Sequence, residues 1–202
     1  FRVFYGPVRA GDLPEYCASG YRATPAMRRI TFTAMDRIVL TPMELFPAMK
    51  FFFLMALALL AVFGIDDAGI LFRKSLAEGM PMVALGFAAV LSGALVTPAM
   101  LSIIPFRSFA VKGMILGVII TALLVHGAGI LPSDNFYLLA MTYLFFPAFS
   151  SYLALQFTGA TTFTGRSGVM KELRWAIPFY IAAGVISVLL LFLYKLDGWG
   201  IL

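Results

Sequence analysis

One cysteine, one histidine and little charge set the first limits on this chain. Cys17 alone excludes an internal disulfide framework and a cysteine-rich cluster within the chain. With His126 the only imidazole, zinc or mercury capture by a soft ligand set has no second ligand in sequence range. Only 12% of residues are charged, against roughly 25% in ordinary globular chains. There is no phosphate-loop signature, no Ser/His/Asp set and no pair of carboxylates inside an apolar run, so no catalytic residue and no metal ligand is assigned. The first 45 residues are mixed polar and basic and lack the apolar core of a cleavable signal peptide. They begin at Phe1 without Met and read like the interior of a domain, which predicts a C-terminal portion of a longer protein.

What is present in abundance is apolar sequence, 61% of the chain. Five runs stand out, at about 46–65, 80–104, 112–131, 136–157 and 175–194. Each is near the roughly 20 residues that cross a hydrocarbon core. None carries Asp, Glu, Lys or Arg in its central portion, where one such charge would cost about 2.5–3.5 kcal/mol. Five helices without polar faces could not be soluble together. The expected fold is an all-α, five-helix transmembrane bundle, preceded by the edge of a soluble α/β domain and an interfacial connector over residues 1–45. Within that leading part, Phe1–Phe4 suggests a short strand. Asp12 is expected to cap a helix through about Ala18 with Gly20 as its stop, and Thr24-Pro25 a second helical turn. Ile30–Ala34 could be extended, and Pro42 suits a helix start.

Basic residues predict the orientation. With the N-terminus inside, Arg2, Arg9, Arg22, Arg28, Arg29, Arg37, Lys50, Arg107, Lys112, Arg166, Lys171 and Arg174 fall inside, and only Arg73, Lys74 and Lys195 outside. The positive-inside rule then predicts a cytoplasmic N-terminus and an outside C-terminus. The net charge of +5 reports this topology rather than a nucleic-acid partner. Ala89-x-x-x-Gly93-x-x-x-Thr97 and Gly113-x-x-x-Gly117 mark close helix approaches. Pro98 and Pro147 are expected to kink or break their spans, and Pro178 to sit in the first turn of the last one.

The segment from Thr158 to Arg174, TGATTFTGRSGVMKELR, is a long polar interruption between two apolar runs. Gly159, Gly165 and Gly168 permit close backbone approach. The hydroxyls of Thr158, Thr161, Thr162, Thr164 and Ser167, with exposed amides, could hold an amide- or phosphate-bearing ligand. The plainer reading is a flexible connection in which Ser167 caps a short helix containing Lys171, Glu172 and Leu173. The other singular residues read blandly. Cys17 is a small residue of a short helix. His126 is a buried side chain hydrogen-bonded to a neighbouring helix, with proton carriage as the alternative. Arg28-Arg29 is a solvated or headgroup-facing pair.

Three stretches together, FYGPVRAGDLPEY, ATPAMRRITFTAMDRIVLTPMEL and QFTGATTFTGRSGVMKE, resemble the C-terminal half of mercury-methylating corrinoid proteins. They also resemble the related corrinoid iron–sulfur proteins of the acetyl-CoA pathway. The resemblance covers essentially the whole chain. It implies an upstream cobalamin-binding domain of the same protein, a ferredoxin-like iron–sulfur partner that reduces the cobalt, and methyl transfer from methylcobalamin to Hg(II). It makes residues 1–45 the end of that cytoplasmic domain, and it implies a bacterial or archaeal cytoplasmic membrane. It gives Thr158, Gly159, Thr161, Thr162, Thr164, Gly165, Ser167 and Gly168 a role as a loop facing the cofactor domain. The family's cap helix, Asn-(Val/Ile)-Trp-Cys-Ala-(Ala/Gly)-Gly-Lys, is not in this chain. Glu15–Tyr21 echoes it but lacks the Asn, Trp and Lys and follows the YGPVRA landmark, so no cobalt-ligand role passes to Cys17.

Three functions are therefore open at the level of sequence. One is the membrane domain of a corrinoid methyltransferase acting on Hg(II), or of a methyl carrier in acetyl-CoA metabolism. Another is a transport module whose path is lined by His126, Ser92, Thr97 and the in-span prolines. The last is an anchor with no site.

Overall fold

The structure is a computed structural model that describes residues 5–29, 33–66, 69–132, 134–157 and 166–201. The chain divides into two compact units, Phe1–Thr33 and Ala34–Leu202.

In the first unit a 3-10 turn, Ala10–Asp12, leads into α1, Leu13–Ala18. Pro14 lies in its first turn, where its missing N–H costs nothing. Asp12 occupies the N-cap position as expected, but its side chain makes no capping hydrogen bond. Gly20, at φ +69°, ends the helix in the left-handed conformation, and the Tyr21 amide returns to the Tyr16 carbonyl (3.1 Å). Tyr16 is buried, donates its hydroxyl to the Tyr5 carbonyl (3.1 Å) and packs edge-on against Tyr21. The Val8 amide donates to the Met27 carbonyl (3.0 Å), tying the turn that follows Thr24-Pro25 to the start of the unit. The strand expected at Phe1–Phe4 and most of the extended stretch expected at Ile30–Ala34 lie outside the described residues.

The second unit is an all-α bundle. Among the described residues five long helices are each apolar enough to cross a membrane, one at each predicted span, although the expected ends at 104 and 131 lie beyond the second and third of them. They are α2, Ala34–Gly64; α3, Phe72–Leu91, continued by a π turn, Ser92–Val96, and the last turn α4, Thr97–Ala99; α5, Phe109–Ala122, with a π turn at Leu123–Gly127; α6, Phe136–Gln156; and α7, Arg166–Gly198. A two-residue ladder, β1 (Ile65–Asp66) with β2 (Gly69–Ile70), pairs antiparallel after α2.

Helix α2 begins at Ala34, not at Pro42, and runs through Pro42 and Pro47. Apolar helices tolerate such prolines where neighbours satisfy the freed carbonyls. Its buried side chains, Arg37, Thr41, Ala48, Phe52, Ala56, Leu59 and Phe63, form a single stripe at helical spacing. Most of the rest of the helix is apolar and exposed, with Asp36 and Lys50 the exposed charged exceptions, as suits a helix solvated by lipid on most sides. Helix α6 is the most enclosed of the five, and α2 and α7 are the least.

The small-residue positions are where backbones meet. A Cβ on Gly113 would lie 2.8 Å from the Ser151 Cα, and one on Gly117 would lie 2.7 Å from the Pro147 Cα. A Cβ on Gly93 would lie 2.8 Å from the Leu153 Cβ. Helix α6 is thus wedged against α5 and the π turn after α3 at distances only glycine allows. The two in-span prolines behave differently. Pro98 closes its helix one residue later, after a π turn whose Ser92 carbonyl takes the Thr97 hydroxyl (2.8 Å). Pro147 sits inside an uninterrupted α6.

Candidate functional site

Of the predicted loop, Thr158, Gly159, Thr161, Thr162, Thr164 and Gly165 lie outside the described residues. Ser167 and Gly168 are in the first turn of α7. The separate short helix expected around Lys171-Glu172 does not exist as such. It is the leading part of one 33-residue helix, and Ser167 lies inside it, not at a cap. Pro178 accordingly falls about three turns into the helix, not in its first turn. The polar residues were read as a connection because their side chains are polar. They continue the helix because it extends beyond the apolar run.

Ser167 and Gly168 form part of the wall of a cavity of about 790 Å³. The remaining wall comes from Leu101, Phe106, Arg107, Ser108, Phe109 and Lys112 on one side and Lys171, Glu172 and Trp175 on the other. Its geometry follows from three helix ends. Ser108 caps α5, its hydroxyl accepting from the Val111 amide (3.3 Å). The Glu172 carboxylate reaches across from α7 and accepts from the Ser108 hydroxyl (3.1 Å) and the amides of Phe109 (3.0 Å) and Ala110 (3.3 Å). A carboxylate on unpaired amides at the positive end of a helix is favourable on both counts. The negative end of the neighbouring helix receives cations. Arg37 donates to the Pro98 carbonyl (3.1 Å) and the Ser102 hydroxyl (2.9 Å), and the Lys112 ammonium donates to the Leu101 carbonyl. Arg37 and Lys112 are both buried, so their charges act in a poorly screened setting. The segment between α4 and α5 is held from both sides by charge. Beneath it Leu101, Phe109, Ala110, Leu155, Phe157 and Ala176 make a local apolar core.

A polar seam runs inward from this end. The Ser151 hydroxyl bonds the Ala110 carbonyl (2.6 Å) and pairs with the Tyr180 hydroxyl (2.8 Å). The Ser150 hydroxyl reaches the Ser92 hydroxyl and the Gly113 carbonyl, both at 3.0 Å. Ser92 and Thr97, two of the residues that a transport path would use, are fully buried and bonded within this packing, and Pro98 and Pro147 are fully buried beside them. His126 is not a buried side chain, contrary to expectation. It is exposed on the π turn after α5, with its ring stacked on Tyr143 at 6.0 Å. Cys17 is exposed. Arg28 and Arg29 are exposed, in keeping with a solvated pair.

Sequence reasoning missed Ser108, Glu172, Lys112 and Arg37 as parts of one site. Ser108 immediately before an apolar run is an N-cap signal and could have been found. The pairing of Glu172 with it could not, because the two lie 64 positions apart.

No protein-family profile, no curated protein and no solved structure matches this chain.

Proposed function

We propose that this chain is the membrane part of a corrinoid-dependent methyltransferase that methylates Hg(II), with cobalamin carried mainly by a domain upstream of Phe1. The observation that supports the reading is the cavity at the start of α7. Ser167 and Gly168, the last residues of the Thr/Gly segment, line it together with Ser108, Lys112 and Lys171. A cavity of about 790 Å³ cannot enclose a corrinoid with its nucleotide loop. Its hydroxyls and ammonium groups do fit an edge bearing amides or a phosphate. Bound to its own domain, cobalamin would supply the methyl group. The residues here would hold and orient that domain: Ser167 and Lys171 by hydrogen bonds, and Thr158–Gly168 as the segment that meets it.

The basic-residue asymmetry supports a cytoplasmic position for this face, where a ferredoxin-like iron–sulfur protein could reduce the cobalt. A methyl carrier of acetyl-CoA metabolism would use the same module and differ in its acceptor.

The test uses the full-length protein in its native membrane. Replacing Thr161, Thr162 and Thr164 together with Ala is expected to lower methylmercury formation severalfold at unchanged membrane insertion. Unchanged methylation removes the segment from the mechanism. Wild-type membranes that form no methylmercury from Hg(II) overturn the mercury reading.

A further inference from the structure

The cavity at the start of α7 does not end in solvent-facing charge alone. A second, wholly apolar groove of about 340 Å³ lies against it, lined by Ala110, Val111, Met114, Ile115, Trp175 and Phe179. Trp175 belongs to both. The two linings interleave along α5, with Phe109 and Lys112 at the first and Ala110 and Val111 at the second. Helix α6 packs against both α5 and α7 and backs the crevice between them.

Among the described residues the polar half carries three basic side chains, Arg107, Lys112 and Lys171, against one carboxylate, Glu172. That carboxylate already serves the amides at the start of α5. Lys112 is buried, and its ammonium is bonded to a neutral carbonyl. Glu172 also acts on Lys112 electrostatically, yet the described lining holds three cations to that one carboxylate, and a buried cation in such surroundings favours a further anion. Among the described residues the apolar half presents no polar side chain, and it lies along two helices long and apolar enough to cross the hydrocarbon region.

From this juxtaposition we propose that the crevice between α5 and α7 binds one anionic phospholipid. Its phosphate sits among Arg107, Lys112, Lys171 and the Ser167 hydroxyl. The upper part of one acyl chain lies over Ala110, Met114, Ile115 and Phe179, and Trp175 stands at the boundary between head and tail. Trp at such a boundary and basic pockets between membrane helices are the chemistry by which bilayers supply such ligands. A free phosphate fits only the polar half and leaves the groove unused. The lipid phosphate would take Ser167 and Lys171, which the corrinoid reading gives to the cofactor domain, so the two occupants exclude each other there; the test contains no methyl-transfer assay and is decided without that reading.

The chain is purified in mild detergent after equilibration with vesicles of phosphatidylglycerol and phosphatidylcholine in equal amounts, and retained lipid is identified by native mass spectrometry. One phosphatidylglycerol per chain is the expected result, retained in preference to phosphatidylcholine. The double variant Arg107→Gln/Lys171→Gln, at two exposed positions, is expected to lose that preference at least tenfold. Ile115→Trp, which fills the groove and leaves the polar half intact, is expected to lose the lipid while still binding glycerol phosphate. Thermal unfolding of each variant close to wild type confirms that the losses are local. No retained lipid, equal retention of the two lipids, or full retention by either variant overturns the proposal. So does glycerol phosphate competing as well as the phospholipid.

Discussion

The carboxylate of Glu172, on the second turn of α7, accepts a hydrogen bond from the backbone amide of Phe109 at 3.0 Å, at the first residue of α5. The same oxygen takes the Ser108 hydroxyl and the Ala110 amide, so one side chain caps a helix in another part of the chain. Glu172→Ala leaves the Phe109 and Ala110 amides without it. A charge-assisted cap of this kind contributes about 1.5–3 kcal/mol. The variant should unfold at lower temperature in detergent by a corresponding amount. Glu172→Gln keeps one acceptor and should lose less. Equal stability of Glu172→Ala and wild type would show that the contact does not hold α5 and α7 together.

Gly117 and Gly184 make a matched pair of tests. A Cβ at Gly117 would stand 2.7 Å from the Pro147 Cα, whereas one at Gly184 meets nothing within 4 Å. Gly117→Ala should destabilise by about 1–3 kcal/mol through forced separation of α5 and α6. Gly184→Ala should be neutral, or slightly stabilising through helix propensity. Thermal unfolding of the two variants in the same detergent distinguishes them, and a neutral Gly117→Ala would mean that the two helices can part without cost.

Two buried serines should behave in opposite ways. The Ser150 hydroxyl bridges Ser92 and Gly113, while the Ser187 hydroxyl is buried with no partner among the described residues. Ser150→Ala should cost about 0.6–1.7 kcal/mol, the range of hydrogen bonds between membrane helices. Ser187→Ala removes an unpaired buried polar atom and should be neutral or stabilising. Reversal of the order would contradict the assignment of these bonds.

Lys195 lies close to the end of α7 and is buried, with its ammonium on the carbonyls of Phe63 (3.3 Å) and Ile65 (3.0 Å) and 5.3 Å above the Phe63 ring. It closes the end of α2 in the way Arg37 and Lys112 close the end of α4. Lys195→Met keeps the aliphatic stem and removes the donor. It should lower stability by about 1.5–3 kcal/mol, the worth of hydrogen bonds to a charged group. The loss should hardly depend on salt, because a buried cation is weakly screened. Loss that disappears in high salt would identify the contact as a surface effect.

The local rules were read correctly where one helix decides them. The YCASG stretch ends at a left-handed Gly20 because a helix that stops there needs positive φ, and glycine supplies it. They failed where a helix outlasts its apolar run. Pro42 and Pro178 looked like starting residues because apolar sequence follows them, yet both lie inside longer helices. At the site, Ser167 and Gly168 could be singled out from their polarity. Asn135 was overlooked, although it caps α6 through the Leu138 amide and donates to the Asp197 carboxylate (2.7 Å).

The five helices are determined by the sequence itself. An apolar run of that length has no solvent for its backbone amides in a bilayer, so each run must satisfy them internally, whatever its neighbours. The close approaches at Gly93, Gly113 and Gly117 were legible for a related reason, since absence of a side chain is a local property. The cavity was decided only by the tertiary structure. It exists because Glu172 of α7 reaches the start of α5 while Arg37 and Lys112 take the carbonyls of Pro98 and Leu101, at and just beyond the end of α4. Those partners are separated by 11 to 64 positions, and no periodicity records which helix end will face which charge.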